Sequence, residues 1–171
     1  MIEIIEVLNG VMNIKKKGYT SYKKSIVAVK NPHGKQTFTF LANEELSHYK
    51  SLEKLLLAIK KGNEFTVLSL PHHPEIKEKE IFETMKRMDV RGKVSTENIH
   101  LIDDAMMFEK NAIRVYNRYF SQLKEEKNQD IIKTLIEEEK KHIRWLKFMK
   151  EALEIHGYWY DLESYFLLGG L

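Results

Sequence analysis

The stretch IEEEKKHIRW, Ile136–Trp145, sets a histidine three residues after a carboxylate inside a run whose charges otherwise suit a solvated helix face. Taken alone it reads as that face, because Glu and Lys spaced three and four apart support an exposed helix. A second stretch, ANEELSHYKSL, Ala42–Leu52, changes the reading, since it repeats Glu-x-x-His at Glu45 and His48. The pairs His48/His142, Glu45/Glu139, Glu44/Glu138, Leu41/Leu135, Leu52/Leu146, Tyr22/Tyr116, Lys16/Lys110 and Met12/Met106 are each 94 residues apart. One ungapped offset therefore relates the two halves, and it sets Gly18 against Ala112, small residues where helices can approach closely.

Apolar periodicity extends this into an architecture. Ile5, Leu8, Met12, Tyr19, Tyr22 and Ile26 recur at three and four, so a long helix is expected from Ile2 to about Lys30, with Gly10 and Gly18 as its weak points. Asn31 and Pro32 end it and suit the cap and first turn of a second helix running to Lys61, where Gly62 stops it. A third helix is expected to open at Ser95 or Thr96, and a fourth to run from about Asp130, after a polar turn around Lys127 and Asn128, to Ile155, with Gly157 as its stop. Residues 63–97 read as a crossover: FTVLSL is too short for a sheet, PHHP breaks the chain, and PEIKEKEIFETMKRM suits a short helix. The expectation is one all-α domain over residues 1–171: hairpin 1 over about 2–62, the crossover, hairpin 2 over about 96–156 and an aromatic tail, 157–171. Two helical hairpins joined by one long connection form the up-down-down-up four-helix bundle. The tail, YWYDLESYFLLGGL, is too apolar for water and reads as a strap over the bundle or a dimer contact.

Composition narrows the function. The 171 residues, 43% of them hydrophobic, are enough for one sizeable core. Lys and Arg number 28 against 25 Asp and Glu, interspersed, which argues against nucleic acid as a partner. With no cysteine, disulfides, thiolate metal sites and thiol nucleophiles are excluded, so any metal is held by nitrogen and oxygen. No apolar run reaches the roughly 18 residues a spanning helix needs, and the N-terminus lacks a secretory pattern, so a cytoplasmic protein without membrane partners is expected. Abundant lysine and glutamate fit a heat-adapted source.

Residues three apart share a helix face, so Glu45 with His48, and Glu139 with His142, each offer an oxygen and an imidazole nitrogen in one direction. Glu109 lies in the apolar run AMMFEKNAI, seven residues before Tyr116 and on its face, where a carboxylate needs a cation. The position 94 residues earlier is Lys15. Two Glu-x-x-His helices with a lone carboxylate from each of the other two is the plan of dimetal carboxylate bundles.

Here the sequence resembles the rubrerythrin and ferritin-like di-iron family, over roughly residues 5–60 and 99–152. MFEKNAIRVYNRYF with IEEEKKHIRWL resembles the family's third and fourth helices, and NIKKKGYTSYKKS with LANEELSHYKSL the first and second. The resemblance implies a ferritin-like bundle in which Glu45 and Glu139 bridge two irons, His48 and His142 each bind one, and Glu109 is a terminal ligand. Lys15 stands where the sixth ligand, a carboxylate, belongs. The resemblance also implies an oxidoreductase acting on peroxide or oxygen in oxidative stress. Paired cysteines of a rubredoxin tail are missing, so electrons are expected from a separate protein. Ala112 replaces a further glutamate of typical rubrerythrins, which puts peroxidase activity in question.

Two states of the centre stay open on these residues. Either iron, or manganese, is bound as a pair or as one partly occupied site with the Glu109 and His142 half stronger, or Lys15 neutralises the carboxylates in a metal-free cluster and the bundle is an interaction module. Iron oxidation and sequestration is a further alternative, one that needs an assembly with an interior; a homodimer is the expected assembly. Tyr22 and Tyr116 are read as core, with hydrogen bonding to the carboxylates as the alternative, and His72, His73, His100 and His156 as solvent-exposed.

Overall fold

A computed structural model of the chain describes residues 3–63 and 96–160. Four helices make up these residues: α1 (Ile4–Ala28), α2 (Pro32–Lys60), α3 (Thr96–Gln122) and α4 (Glu126–His156). Asn31 opens α2 by accepting hydrogen bonds from the backbone N–H of His33 (2.9 Å) and Gly34 (3.3 Å), with Pro32 in the first turn, where its missing N–H leaves no bond unmade. Gly157 closes α4 in the left-handed conformation, its N–H bonded to the Leu153 carbonyl at 3.1 Å.

The fourth helix begins at Glu126, four residues before the expected Asp130, and the turn falls at Leu123–Glu125. Lys127 and Asn128 look like turn residues because they are polar. Burial of Leu123 decides the matter: it plugs the hairpin as Val29, its mate in the other half, does. The side chain of Gln129 then bonds the Leu123 carbonyl at 2.8 Å. Shifted by 94 residues, the end of α1 falls on the end of α3 and the start of α2 on the start of α4.

Three-residue turns make α1 with α2, and α3 with α4, antiparallel hairpins. Between hairpins, α1 crosses α3 at its two glycines. A Cβ on Gly10 would clash with the Tyr119 hydroxyl, and one on Gly18 would meet Glu45 Oε2 at 2.5 Å and the Phe108 ring at 2.9 Å. The weak points of the first helix are thus its closest approaches, and the pairing of 10 with 119 and 18 with 108 runs α3 antiparallel to α1. The order is up-down-down-up, a ferritin-like bundle. The connection, with FTVLSL, His72, His73 and the expected short helix, lies outside the described residues.

Two apolar layers fill the bundle. One holds Tyr22, Phe38, Leu41, Ile102, Trp145, Leu146 and Met149; the other holds Leu8, Val11, Leu52, Tyr116, Ile132 and Leu135. The start of the tail joins the first layer: Tyr158, Trp159 and Tyr160 are buried, with the Trp159 ring edge-on to Phe38 at 6.1 Å and packed over Gly34. As far as Tyr160 the tail is a strap. No helix among the described residues is long and apolar enough to cross a membrane.

Candidate metal centre

Between the apolar layers lies a slab of charge contributed by all four helices. Lys15 from α1, Glu45 and His48 from α2, Glu109 from α3 and Glu139 from α4 are each 0% exposed, and His142 from α4 is 4% exposed. Each shares its helix face with the apolar residues that form the core, so packing the four helices together encloses them.

One oxygen or nitrogen from each of Glu45, Glu109, Glu139 and His142 lies within 4.8 Å of the others. His142 Nδ1 is 3.1 Å from Glu109 Oε1, 3.3 Å from Glu139 Oε2 and 3.8 Å from Glu45 Oε1. His48 belongs to the other half of the slab, its Nδ1 4.0 Å from Glu45 Oε1 and its Nε2 3.9 Å from Glu44 Oε2. The two imidazoles, mates in the repeat, stack at 6.0 Å between centroids and 15° between planes. All five acid and imidazole side chains singled out in the sequence therefore share one interior. His100 and His156 lie exposed, as expected.

Lys15 takes the place the repeat assigns it. Its Nζ lies 2.8 Å from Glu45 Oε1 and 2.5 Å from Glu139 Oε1, between the two carboxylates that the resemblance casts as bridges. Burial works against its charge, but Glu139 and Glu45 outweigh burial and hold Lys15 well above the ordinary lysine range. It is an ammonium. Burial pushes Glu45 up to about 8 despite the pull of Lys15. Burial acts on Glu139 in the same sense, yet Lys15 and the hydrogen bond from His142 overcome it and keep that carboxyl well below the usual range. Burial would discharge His142, whereas Glu109 and Glu139 hold its proton on.

The tyrosines break the symmetry. The Tyr22 hydroxyl donates a short hydrogen bond to Glu109 Oε1, so its reading as plain core is incomplete. Tyr116 is its mate in the repeat, and the residue it should bond is the mate of Glu109, which is Lys15. An ammonium has no lone pair to accept with. The Tyr116 hydroxyl is buried and has no hydrogen-bond partner among the described residues. Gly18 was legible only as a small residue; its role is to let Glu45 Oε2 lie against the α1 backbone.

The family model described as Rubrerythrin matches residues 14–151. The chain belongs to the rubrerythrin family. No curated protein matches the chain. The two-iron plan that the rubrerythrin resemblance implies can be tested against the residues present. Bonds of about 2.0–2.2 Å put neighbouring donors of an octahedral ion about 3 Å apart and opposite donors about 4.2 Å apart. The donor separations around His142 Nδ1 fall in that range. Glu45 Oε2 and Glu109 Oε2 are buried and accept no hydrogen bond, which leaves donor capacity unused. With donor atoms of all four residues within 4.8 Å of one another, the set suits one ion after small side-chain shifts. A second ion does not fit, because the ammonium of Lys15 fills the position between Glu45 and Glu139 on the side where the sixth carboxylate is missing.

Proposed function

We infer that this rubrerythrin-family chain is a non-haem iron protein that reduces peroxide or oxygen, with electrons arriving from outside these 171 residues. The observation that carries the reading is the convergence of Glu45, Glu109, Glu139 and His142 in one water-excluding interior, with carboxylate oxygens left unbonded there. Hard oxygen donors with one imidazole suit iron or manganese. Bound iron supplies a ferrous–ferric couple to the oxidant. Glu109 and His142 are the terminal donors, Tyr22 holds Glu109 in orientation, and Lys15 balances the charge of the remaining carboxylates.

The test is elemental analysis of protein produced with iron or manganese supplied, followed by anaerobic mixing of the ferrous protein with peroxide. The reading expects stoichiometric metal and ferrous oxidation faster than that of free ferrous ion, both lost in Glu109→Ala and His142→Ala. Folded protein with only traces of metal refutes it. In that event the second reading holds, a metal-free bundle, which the close pairing of Lys15 with both carboxylates favours.

A further inference from the structure

We propose that the dimetal pocket of the family has become, in this chain, a site for one divalent ion paired with a protein ammonium, Lys15 standing permanently where the second ion would be. The proposal rests on the reading that the pocket binds metal at all, and adds what fills its other half.

Three independent observations carry it. Lys15 Nζ makes two charge-assisted hydrogen bonds, 2.8 Å to Glu45 and 2.5 Å to Glu139, and its side chain is wholly shielded from water. A side chain this enclosed has no exposed route to swing into. The repeat then says what Lys15 replaced. Its counterpart is Glu109, the counterpart of His142 is His48, and so the half of the pocket that contains His48 lacks its own carboxylate. Lastly, Tyr116 is left with an unpartnered buried hydroxyl at the position where Tyr22 bonds Glu109. An orphaned donor at that point is what remains when its acceptor has been exchanged for a second donor.

Ammonium and metal ion meet the same requirement here. Each places positive charge between the two carboxylates, and each satisfies their inward oxygens. They differ in that lysine brings its charge on a covalent tether, so this half is filled at any metal concentration. The other half, with Glu109, Glu139 and His142 and the unbonded oxygens of Glu45 and Glu109, retains the donors for one ion.

The experiment is titration of manganese(II) into the metal-free full chain, by calorimetry for stoichiometry and by electron paramagnetic resonance for coupling between ions. Wild type is expected to take one ion per chain with the six-line spectrum of an isolated manganese. Lys15→Glu restores a carboxylate and is expected to take two, with the broadened spectrum of an exchange-coupled pair. Lys15→Ala, which removes the ammonium without adding a buried negative charge, covers the case in which Lys15→Glu does not fold, and is expected to admit a second, weaker ion. Two coupled ions in wild type overturn the proposal and leave the iron reading standing. So does one ion in both wild type and a folded Lys15 variant. No ion in wild type overturns both readings.

Discussion

Lys15→Met in metal-free protein tests the charge arrangement most directly. Methionine approximates the length and flexibility of lysine, so packing against the neighbouring core is largely kept and the change isolates the ammonium. At separations of 2.8 and 2.5 Å, each pair is worth about 6 kcal/mol of attraction at an effective dielectric constant near 20, most of which is spent in taking the charges out of water. What is left after substitution is Glu139 relying on His142 alone, and Glu45 without any cation at 2.8 Å. Removing one partner of a buried ion pair costs about 3–5 kcal/mol. For a chain of this size that lowers the melting temperature by roughly 6–20 °C. Glu45, already pushed up to about 8, takes a proton readily in the variant, so the loss should be smaller at pH 6 than at pH 9. The assay is urea and thermal unfolding in the presence of a chelator, followed by circular dichroism. Adding Glu45→Gln to Lys15→Met should recover part of the loss, with a coupling of at least about 1 kcal/mol in the double-mutant cycle. A loss below about 1 kcal/mol, or two additive substitutions, would show that the ammonium does not bridge these carboxylates.

Other consequences follow from the same slab. Tyr22→Phe removes a hydrogen bond to a charged acceptor and should destabilise by about 1.5–3 kcal/mol, whereas Tyr116→Phe removes an unpartnered hydroxyl and should be neutral or mildly stabilising; equal effects on unfolding would contradict the asymmetry. Glu45 and His142 have folded pKa values raised above their unfolded ones, so their stabilisation is complete below the unfolded values and lost as pH rises, for Glu45 through about 8. Glu139 is depressed, and its contribution is present above the ordinary carboxylate range and lost as pH falls. Metal-free protein should accordingly be most stable near pH 5 and decline as pH rises from there through about 8, by up to about 1.4 kcal/mol per pH unit for each proton released, measured by urea midpoints across pH. Gly18→Ala drives a methyl into Glu45 Oε2 and Phe108, and overpacking of about 1–3 kcal/mol opposes the helix preference for alanine of about 1 kcal/mol. It should leave helix content intact while weakening manganese affinity at least about tenfold, the usual scale for disturbing a ligand's support; unchanged affinity would place Glu45 outside the site.

Much of the centre was legible in one dimension because helices convert spacing into direction. Glu45, His48, Glu109, Glu139 and His142 share faces with core residues, and the offset of 94 said that the two sets face one another. The same offset carried information that the charge pattern obscured: applied to the start of α2 it lands on Glu126, the true start of α4, whereas the polarity of Lys127 and Asn128 pointed to a turn. A hairpin turn is set by which residue plugs the core, here Leu123, and not by how polar its neighbours are.

By itself the sequence determined four helices, their pairing into duplicated hairpins, and the donors that line the interior, since all of these depend on local periodicity and on a repeat written along the chain. Only the tertiary structure decided where the Lys15 ammonium goes, that Tyr22 grips Glu109 while Tyr116 has nothing to grip, and why Gly18 is glycine. Those are matters of distances of about 3 Å between side chains far apart in the chain, where a lysine pointing inward and one snorkelling outward have the same periodicity. Packing chose between them, because the slab offers buried carboxylates that only a cation can satisfy.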